Sequence, residues 1–277
     1  MRWRDIRTGL AVVTEPAIEP VSRAEAKWHA RIDHADENHL IDVYIAAARR
    51  QIEKDTGRTP VNTVYDLTVD AFPEERVIPA LRVPLSSVGS VKSYDANDAE
   101  STMSSGDYFV DTVGGRICLN DDAAWPSGLR KHSGGLIRFT AGGNATPVSI
   151  ATLTSAGTAP SIAATATTTG AHGYSTGDRV TVSGAAEDAY NGTFTVTVTG
   201  ATTFTFSVVS GTPAAAATGT MTARLLRVPE THRLAMLMLI AHWAQERSPV
   251  NVSNIGNDIP LSYQALIGGA DRVYAFA

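Results

Sequence analysis

The sequence predicts an α+β fold, with helices near both ends of the chain and short antiparallel strands between them. Helical spacing of apolar residues is found before Pro60 and again after Val228, and two-residue alternation fills much of the region between. The composition changes at Asn144, because the stretch from there to Ala223 is almost entirely Ala, Thr, Gly, Ser and Val. We therefore expect a helical hub formed by N- and C-terminal helices, with an antiparallel β region and an inserted all-β module.

Two helices are predicted in the N-terminal part of the chain. Ser22 stands three residues before Glu25, the spacing of a capping box, and begins the first helix. Asp36 is a suitable N-cap for the second helix, which Gly57 and Pro60 end. The apolar positions of this second helix recur at helical spacing: Ile41, Ile45, Ala48 and Ile52.

The region that follows changes to the two-residue period of half-buried strands. Turn-forming clusters such as Gly114-Gly115 divide it into short β-type segments. The predicted strands are 64–71, 83–94, 107–111, 115–119 and 134–140. Together with the terminal helices they make up one predicted domain, residues 1–143 and 224–277.

The low-charge stretch 144–223 is predicted to be a separate module. Its middle part shows alternating Thr and Val in the segments 179–183, 193–199 and 203–209, and Asn191-Gly192 is a turn signal between the first two. This pattern favours a β-sandwich or a β-barrel. The Ala- and Thr-rich segments 158–169 and 212–222 fit linkers or edge strands equally well.

The C-terminal part returns to helical signals. Pro229 and Glu230 are favoured in a first turn, and the run 234–244 that follows is apolar on nearly every side. Because this run is too short to cross a bilayer, we expect it in the hub or between subunits. The residues predicted for that hub or subunit interface are Leu234, Leu237, Met238, Ala241 and Trp243. A last helix, 262–267, is followed by Gly268-Gly269 and an aromatic tail.

Composition excludes several classes of protein. The chain has 277 residues, 43% of them hydrophobic and 18% charged, which is typical of a globular protein. Its net charge of −5 argues against a protein whose main task is to neutralise nucleic-acid phosphates. A single cysteine, Cys118, permits no internal disulfide and is compatible with a reducing compartment. Since no signal-peptide or membrane-span pattern is present, we expect a protein made and kept in a cytoplasm.

No residue pattern predicts a catalytic, metal or cofactor-binding site. Gly173-Tyr174-Ser175-Thr176-Gly177 has the form of a hydrolase nucleophile elbow, but strand-like residues follow it where a helix is required, so a turn is expected. Clusters of acidic and histidine residues are interpreted as turn and cap residues rather than as ligands or acid–base pairs. These are His29, Asp33, His34, Asp36 and His39, and separately Asp95, Asp98, Asp121 and Asp122.

Two functions are still compatible with these residues. A hydrolase with an attached β-module would depend on Ser175 and on the turn carboxylates. A protein that binds glycans or a capsid through its β-module would use exposed aromatic residues such as Tyr174, Tyr190 and Phe204.

Short motifs at both ends of the chain resemble the head-tail connector (adaptor) family of tailed bacteriophages. The opening motifs are EPVSRAEAK at 19–27, RID at 31–33, IAAARRQIE at 45–53 and TGR at 56–58. The closing motifs are VPE at 228–230, AHW at 241–243, IPL at 259–261, ALI at 265–267 and RVY at 272–274. The resemblance covers all but the stretch 144–223, which is similar to a small β-barrel repeat of phage structural proteins.

The resemblance implies a mechanical function without enzymatic activity or cofactor. Members of the family form a ring, usually dodecameric, beneath the portal at the capsid vertex. DNA passes through the ring, and the next neck or tail component, a stopper or tail terminator, docks on it. The expected location is therefore the virion neck, after assembly in the host cytoplasm. The family's use of its C-terminal segment implies a portal-docking tail formed by Arg272, Val273, Tyr274 and Phe276.

Overall fold

The protein is an α+β protein with antiparallel sheets, as predicted. The computed structural model describes residues 2–34, 36–143, 147–158, 161–208, 216–246 and 261–268. The helices are α1 (Arg23–Ala30), α2 (Asn38–Thr56), α3 (Glu230–Gln245) and α4 (Leu261–Ile267). The strands are β1 (Thr8–Thr14), β2 (Thr63–Val69), β3 (Val77–Pro79), β4 (Leu85–Tyr94), β5 (Glu100–Thr102), β6 (Tyr108–Asp111), β7 (Arg116–Leu119), β8 (Gly135–Ala141), β9 (Val148–Thr158), β10 (Ser161–Thr168), β11 (Arg179–Ser183), β12 (Gly192–Thr195), β13 (Thr197–Val198), β14 (Thr203–Val208) and β15 (Thr222–Leu225).

Local signals fix the ends of the first two helices. The Ser22 hydroxyl accepts a hydrogen bond from the Glu25 amide at 3.2 Å and caps α1. Helix α2 begins at Asn38, two residues beyond the predicted N-cap Asp36. It ends at Thr56, and the next residue, Gly57, has a φ of 72° and donates its amide to the Glu53 carbonyl at 3.1 Å. Glycine is favoured there because a left-handed residue without a Cβ carries no steric penalty.

The chain forms two compact units. One comprises residues 1–17, 47–143 and 256–277, and the other comprises residues 18–46 and 144–255. Each unit is built from segments that are distant in sequence, so each depends on long-range contacts. The division falls within α2.

The first unit contains two sheets over a shared apolar core. The larger sheet has the strand order β1-β2-β8-β4-β5, and the smaller sheet has the order β3-β7-β6. Strand β2 alternates as its sequence predicts, with every second side chain buried. The largest fully buried side chains of this core are Tyr65, Leu67, Ile78, Ile117, Ile137 and Phe139.

Polar contacts join α2 to other segments of the first unit. The Arg49 side chain is only 3% exposed and lies between Glu53, at 3.2 Å, and Glu15, at 2.9 Å. The Tyr263 hydroxyl of α4 donates a hydrogen bond to the Asp55 carboxylate at 2.7 Å. This last contact joins residues 208 positions apart, so α4 is held on α2 from the far end of the chain.

The second unit contains a seven-stranded sheet with the order β12-β11-β15-β9-β10-β14-β13. Strands β12 and β13, at the two ends of this order, are consecutive in sequence and are separated only by the buried Val196. The same chain segment therefore pairs with β11 on one side and with β14 on the other, which closes the sheet into a small barrel. Its core includes Leu153, Ala164, Val180, Phe204 and Ala223.

The segment 158–169 is neither a linker nor an edge strand, and this expectation was wrong. Most of it forms β10, which lies between β9 and β14 in the interior of the sheet order. Ala164 and Ala166 are completely buried, so small side chains fill the barrel interior where larger ones are usual. In the segment 212–222, residues up to 215 lie outside the described ones, and β15 begins at Thr222. Strands β1, β3, β5, β9 and β15 were not predicted.

A largely buried carboxylate joins three elements of the second unit. The Glu25 side chain, 17% exposed on α1, forms salt bridges with Arg179 of β11 at 3.2 Å and with Arg233 of α3. Burial lowers the pKa of both guanidinium groups, because the charged form loses hydration. The Glu25 carboxylate offsets that cost and fixes α1 against the barrel and against α3.

We predict that Glu25→Gln lowers the free energy of unfolding by about 2–3 kcal/mol, because two poorly hydrated guanidinium groups lose their shared counter-charge. Glu230→Gln is the matched control, since Glu230 also pairs with Arg233 but is 65% exposed. Its effect should stay within about 0.5 kcal/mol. Urea unfolding of both variants measures the difference, and equal effects would contradict the prediction.

Candidate interaction surfaces

The hydrolase-like segment at residues 173–177 forms a turn between β10 and β11, as predicted. The Ser175 amide donates to the Asp178 carboxylate at 2.8 Å, and the Asp178 amide donates to the Ser175 carbonyl at 3.0 Å. Both ring nitrogens of the nearby His172 have backbone partners: Nδ1 accepts from the Tyr174 amide at 3.0 Å, and Nε2 lies 3.1 Å from the Gly200 carbonyl oxygen. His172 is therefore not placed to activate Ser175 as a base.

The aromatic residues considered for glycan binding are buried, which corrects the expectation that they are exposed. Tyr174 is 7% exposed, and Tyr190 and Phe204 are completely buried. Tyr174 stacks on the His172 ring with the centroids 4.6 Å apart, and Phe204 meets both rings edge-on. Burial raises the pKa of Tyr174 to about 12. These rings pack the barrel core and offer no binding surface.

The acidic residues lie in turns, as their sequence context predicts. Asp95 Oδ1 accepts hydrogen bonds from the amides of Asn97, at 2.8 Å, and Ala99, at 2.9 Å. Asp98 pairs with Arg130 at 2.9 Å. Asp121 and Asp122 follow β7 in a further turn. The Asp95 carboxylate therefore stabilises the backbone of its turn.

Within the described residues, no group of three or more His, Cys, Asp and Glu side chains could hold a metal ion. The interpretation of His29, His34 and His39 as turn and cap residues stays a prediction. None of the described helices has the length and apolarity that crossing a membrane requires.

Helix α3 has two unlike sides. Its buried side packs Ala235, Met236, Leu237, Leu239 and Ile240. On the other side Leu234 is 44% exposed, and Met238 and Ala241 are half-buried. Trp243, also half-buried, points away from Leu234 and packs against Tyr44 of α2 with the ring centroids 6.2 Å apart. Leu234, Met238 and Ala241 recur at helical spacing and form one apolar stripe, which we call the α3 stripe. Among the five residues predicted for a hub or subunit interface, Leu237 is buried within the second unit. The residues of the α3 stripe lie on the outer side of the helix.

Other apolar side chains are exposed in each unit. In the second unit, Trp28 of α1 is 82% exposed and Val43 of α2 is 49% exposed. In the first unit, the hairpin of β6 and β7 carries Phe109 at 54% and Val113 at 99% exposure. Asp111 holds the tip of this hairpin, because its carboxylate accepts from the Gly114 amide at 2.8 Å and from Arg116 Nε at 2.8 Å. Large exposed apolar side chains on ordered elements are typical of surfaces that bind other proteins.

The predicted portal-docking residues Arg272, Val273, Tyr274 and Phe276 lie outside the described residues. The structure therefore does not test the docking role assigned to them.

Comparison with known proteins gives a likeness of fold. No protein-family model matches the sequence, and no curated protein matches it. Among solved structures, the chain is similar to one in the neck of an empty gene transfer agent (GTA) particle computed with C6 symmetry, with a TM-score of 0.51 and 15% identity over 97% of each chain. It is equally similar to a chain in the virion of a native GTA particle, with a TM-score of 0.51 and 14% identity over 96% of this chain and 97% of that one.

The fold is thus one that occurs in a particle neck, over nearly the full length of both chains. This confirms, at the level of the fold, the resemblance to neck and connector proteins that the terminal motifs indicate. The similarity includes the barrel region, because a match over 97% of the chain leaves no room for an unmatched stretch as long as 144–223.

We predict that Leu234→Ala and Leu237→Ala separate assembly from folding. Leu237 is 6% exposed, so its truncation should lower the free energy of unfolding by about 2–5 kcal/mol. Leu234→Ala should change it by at most about 0.5 kcal/mol, because the side chain is already half in water. If the α3 stripe contacts another subunit, Leu234→Ala should weaken self-association about tenfold. Denaturation and sedimentation measurements test both effects, and unchanged self-association of Leu234→Ala would contradict the interface.

Proposed function

We propose that this protein is a structural protein of a virion neck, a head-to-tail adaptor whose copies form a ring between the portal and the tail. The observation that carries the proposal is the similarity over 97% of both chains to a protein in a GTA particle neck. The terminal motifs of the sequence point to the same family independently of the fold. The proposed location is the virion neck, and assembly takes place in the host cytoplasm.

A ring is supported by the symmetry of that neck and by the exposed surfaces of this chain. The neck of the similar structure was computed with C6 symmetry. A ring of twelve copies is compatible with sixfold symmetry, and twelve is the number we propose. Neighbours in a cyclic ring meet through two different patches of the same chain. Trp28, the α3 stripe and the β6–β7 hairpin are available for such contacts.

A helical hub is supported by contacts between helices from opposite ends of the chain. In the second unit, Glu25 of α1 pairs with Arg233 of α3. In the first unit, Tyr263 of α4 donates to Asp55 of α2. Each of these contacts lies within one of the two units. We propose that the terminal segments, residues 1–143 and 224–277, form one connector domain.

We further propose that residues 144–223 are an insertion that projects from the connector. Strands β9 to β15 pair with one another and enclose their own core, which supports an independent module. Its last strand, β15, extends two residues past Ala223 to Leu225. Arg179 ties the module to Glu25 of α1, so the module also contributes to the stability of α1.

The proposed role is mechanical and requires no catalysis or cofactor. Double-stranded DNA passes through the ring during packaging and genome ejection, and a net charge of −5 suits a passage that does not retain phosphates. The proposed partners are the portal protein on one side and a stopper or tail terminator on the other. Portal docking is assigned to the C-terminal tail with Arg272, Val273, Tyr274 and Phe276, where aromatic side chains can act as anchors.

Deletion of residues 273–277 tests the docking role. The truncated protein should keep its melting temperature and ring mass, because the tail is not expected to form part of the core. Its binding to portal-bearing capsids should fall by about tenfold or more as the anchor side chains are lost. Native mass spectrometry measures the ring, and co-sedimentation with capsids measures the binding.

The double variant Tyr274→Ala/Phe276→Ala should reproduce the loss, and Asp271→Ala is the matched control. Unchanged capsid binding by the truncated protein would refute the docking role alone. If the full-length protein neither forms a ring nor binds capsids, the adaptor function itself is wrong.

A further inference from the structure

Strand β1 is an open edge of the five-stranded sheet in the first unit. It pairs with β2 on one side, and no described residue pairs with its other side. Six of its seven residues are exposed, and Leu10 is half-buried. Exposure on both faces and along one edge is unusual for a strand with this many apolar residues.

The register shows which backbone groups face away from β2. The Asp70 amide donates to the Arg7 carbonyl at 3.2 Å, so the backbone groups of Arg7 face β2. Gly9 and Ala11 lie opposite Thr68 and Asp66, and their backbone groups face β2 in the same way. In an antiparallel pair, hydrogen-bonded and non-hydrogen-bonded residues alternate. The amides and carbonyls of Thr8, Leu10 and Val12 therefore point outward and are available to another strand.

The sequence of β1 lacks the features that usually prevent an edge strand from pairing with another chain. The seven residues Thr-Gly-Leu-Ala-Val-Val-Thr contain no charge and no proline, and Val12 and Val13 are 46% and 43% exposed. Such edges usually carry a charge, a proline or a very short strand that prevents pairing with other chains. An uncharged edge of this length is a template for strand addition.

The opposite edge of the same sheet, strand β5, has features that prevent pairing with another strand. Strand β5 is only three residues long. Its Glu100 pairs with Lys92 at 2.6 Å and accepts from the Tyr94 hydroxyl at 2.9 Å. The contrast indicates that pairing is opposed at β5 and permitted at β1.

We propose that the outer edge of β1 pairs with an extended segment of the next copy of this chain in the ring. The inference rests on the proposed function, because the ring supplies the neighbouring copy. An uncharged, apolar strand suits a permanent contact between identical subunits better than a transient one. Because neighbours in a cyclic ring meet head to tail, the segment that meets β1 differs from β1 itself.

The partner strand would receive hydrogen bonds from three outward amides and donate to three outward carbonyls. Successive side chains of a strand point to opposite faces, so Val12 and Val13 would be covered from both sides of the extended sheet. The contact would therefore remove from water both the open backbone groups and the exposed apolar side chains of β1.

Amide hydrogen exchange resolved to single residues tests the proposal. In dilute monomer, the amides of Gly9 and Ala11 should exchange slowly, and those of Thr8, Leu10 and Val12 should exchange quickly. In the ring, the three outward amides should slow by about a hundredfold or more, as expected for backbone groups in a stable ladder. Outward amides that stay fast in the ring would overturn the proposal, and so would outward amides already slow in the monomer, because the chain's own residues would then cover the edge.

A matched pair of variants tests the same contact through assembly. Val12→Pro removes one outward amide and leaves the hydrogen bonds to β2 intact. Val12→Thr keeps the amide and the branched shape. We expect Val12→Pro to lower the ring fraction at fixed concentration by about tenfold and Val12→Thr to change it by less than about threefold.

Normal ring formation by a folded Val12→Pro variant would overturn the proposal. If Val12→Pro does not fold, the exchange pattern of the unmodified protein decides the question. Absence of any ring from the unmodified protein would refute the proposed function and, with it, the neighbour assigned to β1. A ring with fast outward amides would refute only the role of β1.

Discussion

The arrangement of the second unit depends on one largely buried carboxylate. Glu25 pairs with Arg179, which is 154 residues away, and with Arg233 on the closing helix α3. A group that loses hydration on folding is stabilising only while its partners are correctly placed, so this site penalises any other arrangement of α1, the barrel and α3. The same residue stands at the N3 position of α1, where Ser22 caps its amide. One short helix thereby anchors both a local capping contact and the long-range contacts of the unit.

The residues that the sequence offered for catalysis or glycan binding have structural contacts, whereas several apolar side chains of the described residues are exposed. Ser175 lies in a turn whose neighbouring histidine is fully engaged with the backbone, and the aromatic residues of the barrel are buried. The exposed apolar groups are instead Trp28, the α3 stripe, the β6–β7 hairpin and β1. The proposed function requires such surfaces, because association between proteins draws on apolar area that the single chain leaves in water.

Much of the fold could be predicted because local signals agree with the final structure. The Ser22 cap, the left-handed Gly57 and the alternating strand β2 were all predicted from neighbouring residues alone. The candidate surfaces were predicted only in part. The run 234–244 was correctly expected to be a helix, but its sequence is apolar on nearly every side and does not reveal that Leu237 is buried while Leu234 is exposed. The exposure of Trp28 and of β1 had no sequence signal, because exposure depends on what packs nearby.

Local sequence signals account for the class of the fold, the positions of α1 to α4 and most of the strands, since caps, turns and periodicity act over a few residues. The sequence also carried the motifs at both ends that resemble connector proteins. The position of β10 inside the sheet follows from long-range packing, because Ala-rich strands gain their stability from burial in a closed barrel rather than from strong local propensity. Long-range packing likewise decided the partners of Glu25 and the open edge of β1, since both depend on which distant segments meet. Local preferences do not specify contacts between distant segments. The free energy that selects these contacts comes from desolvation and packing between segments far apart in the chain.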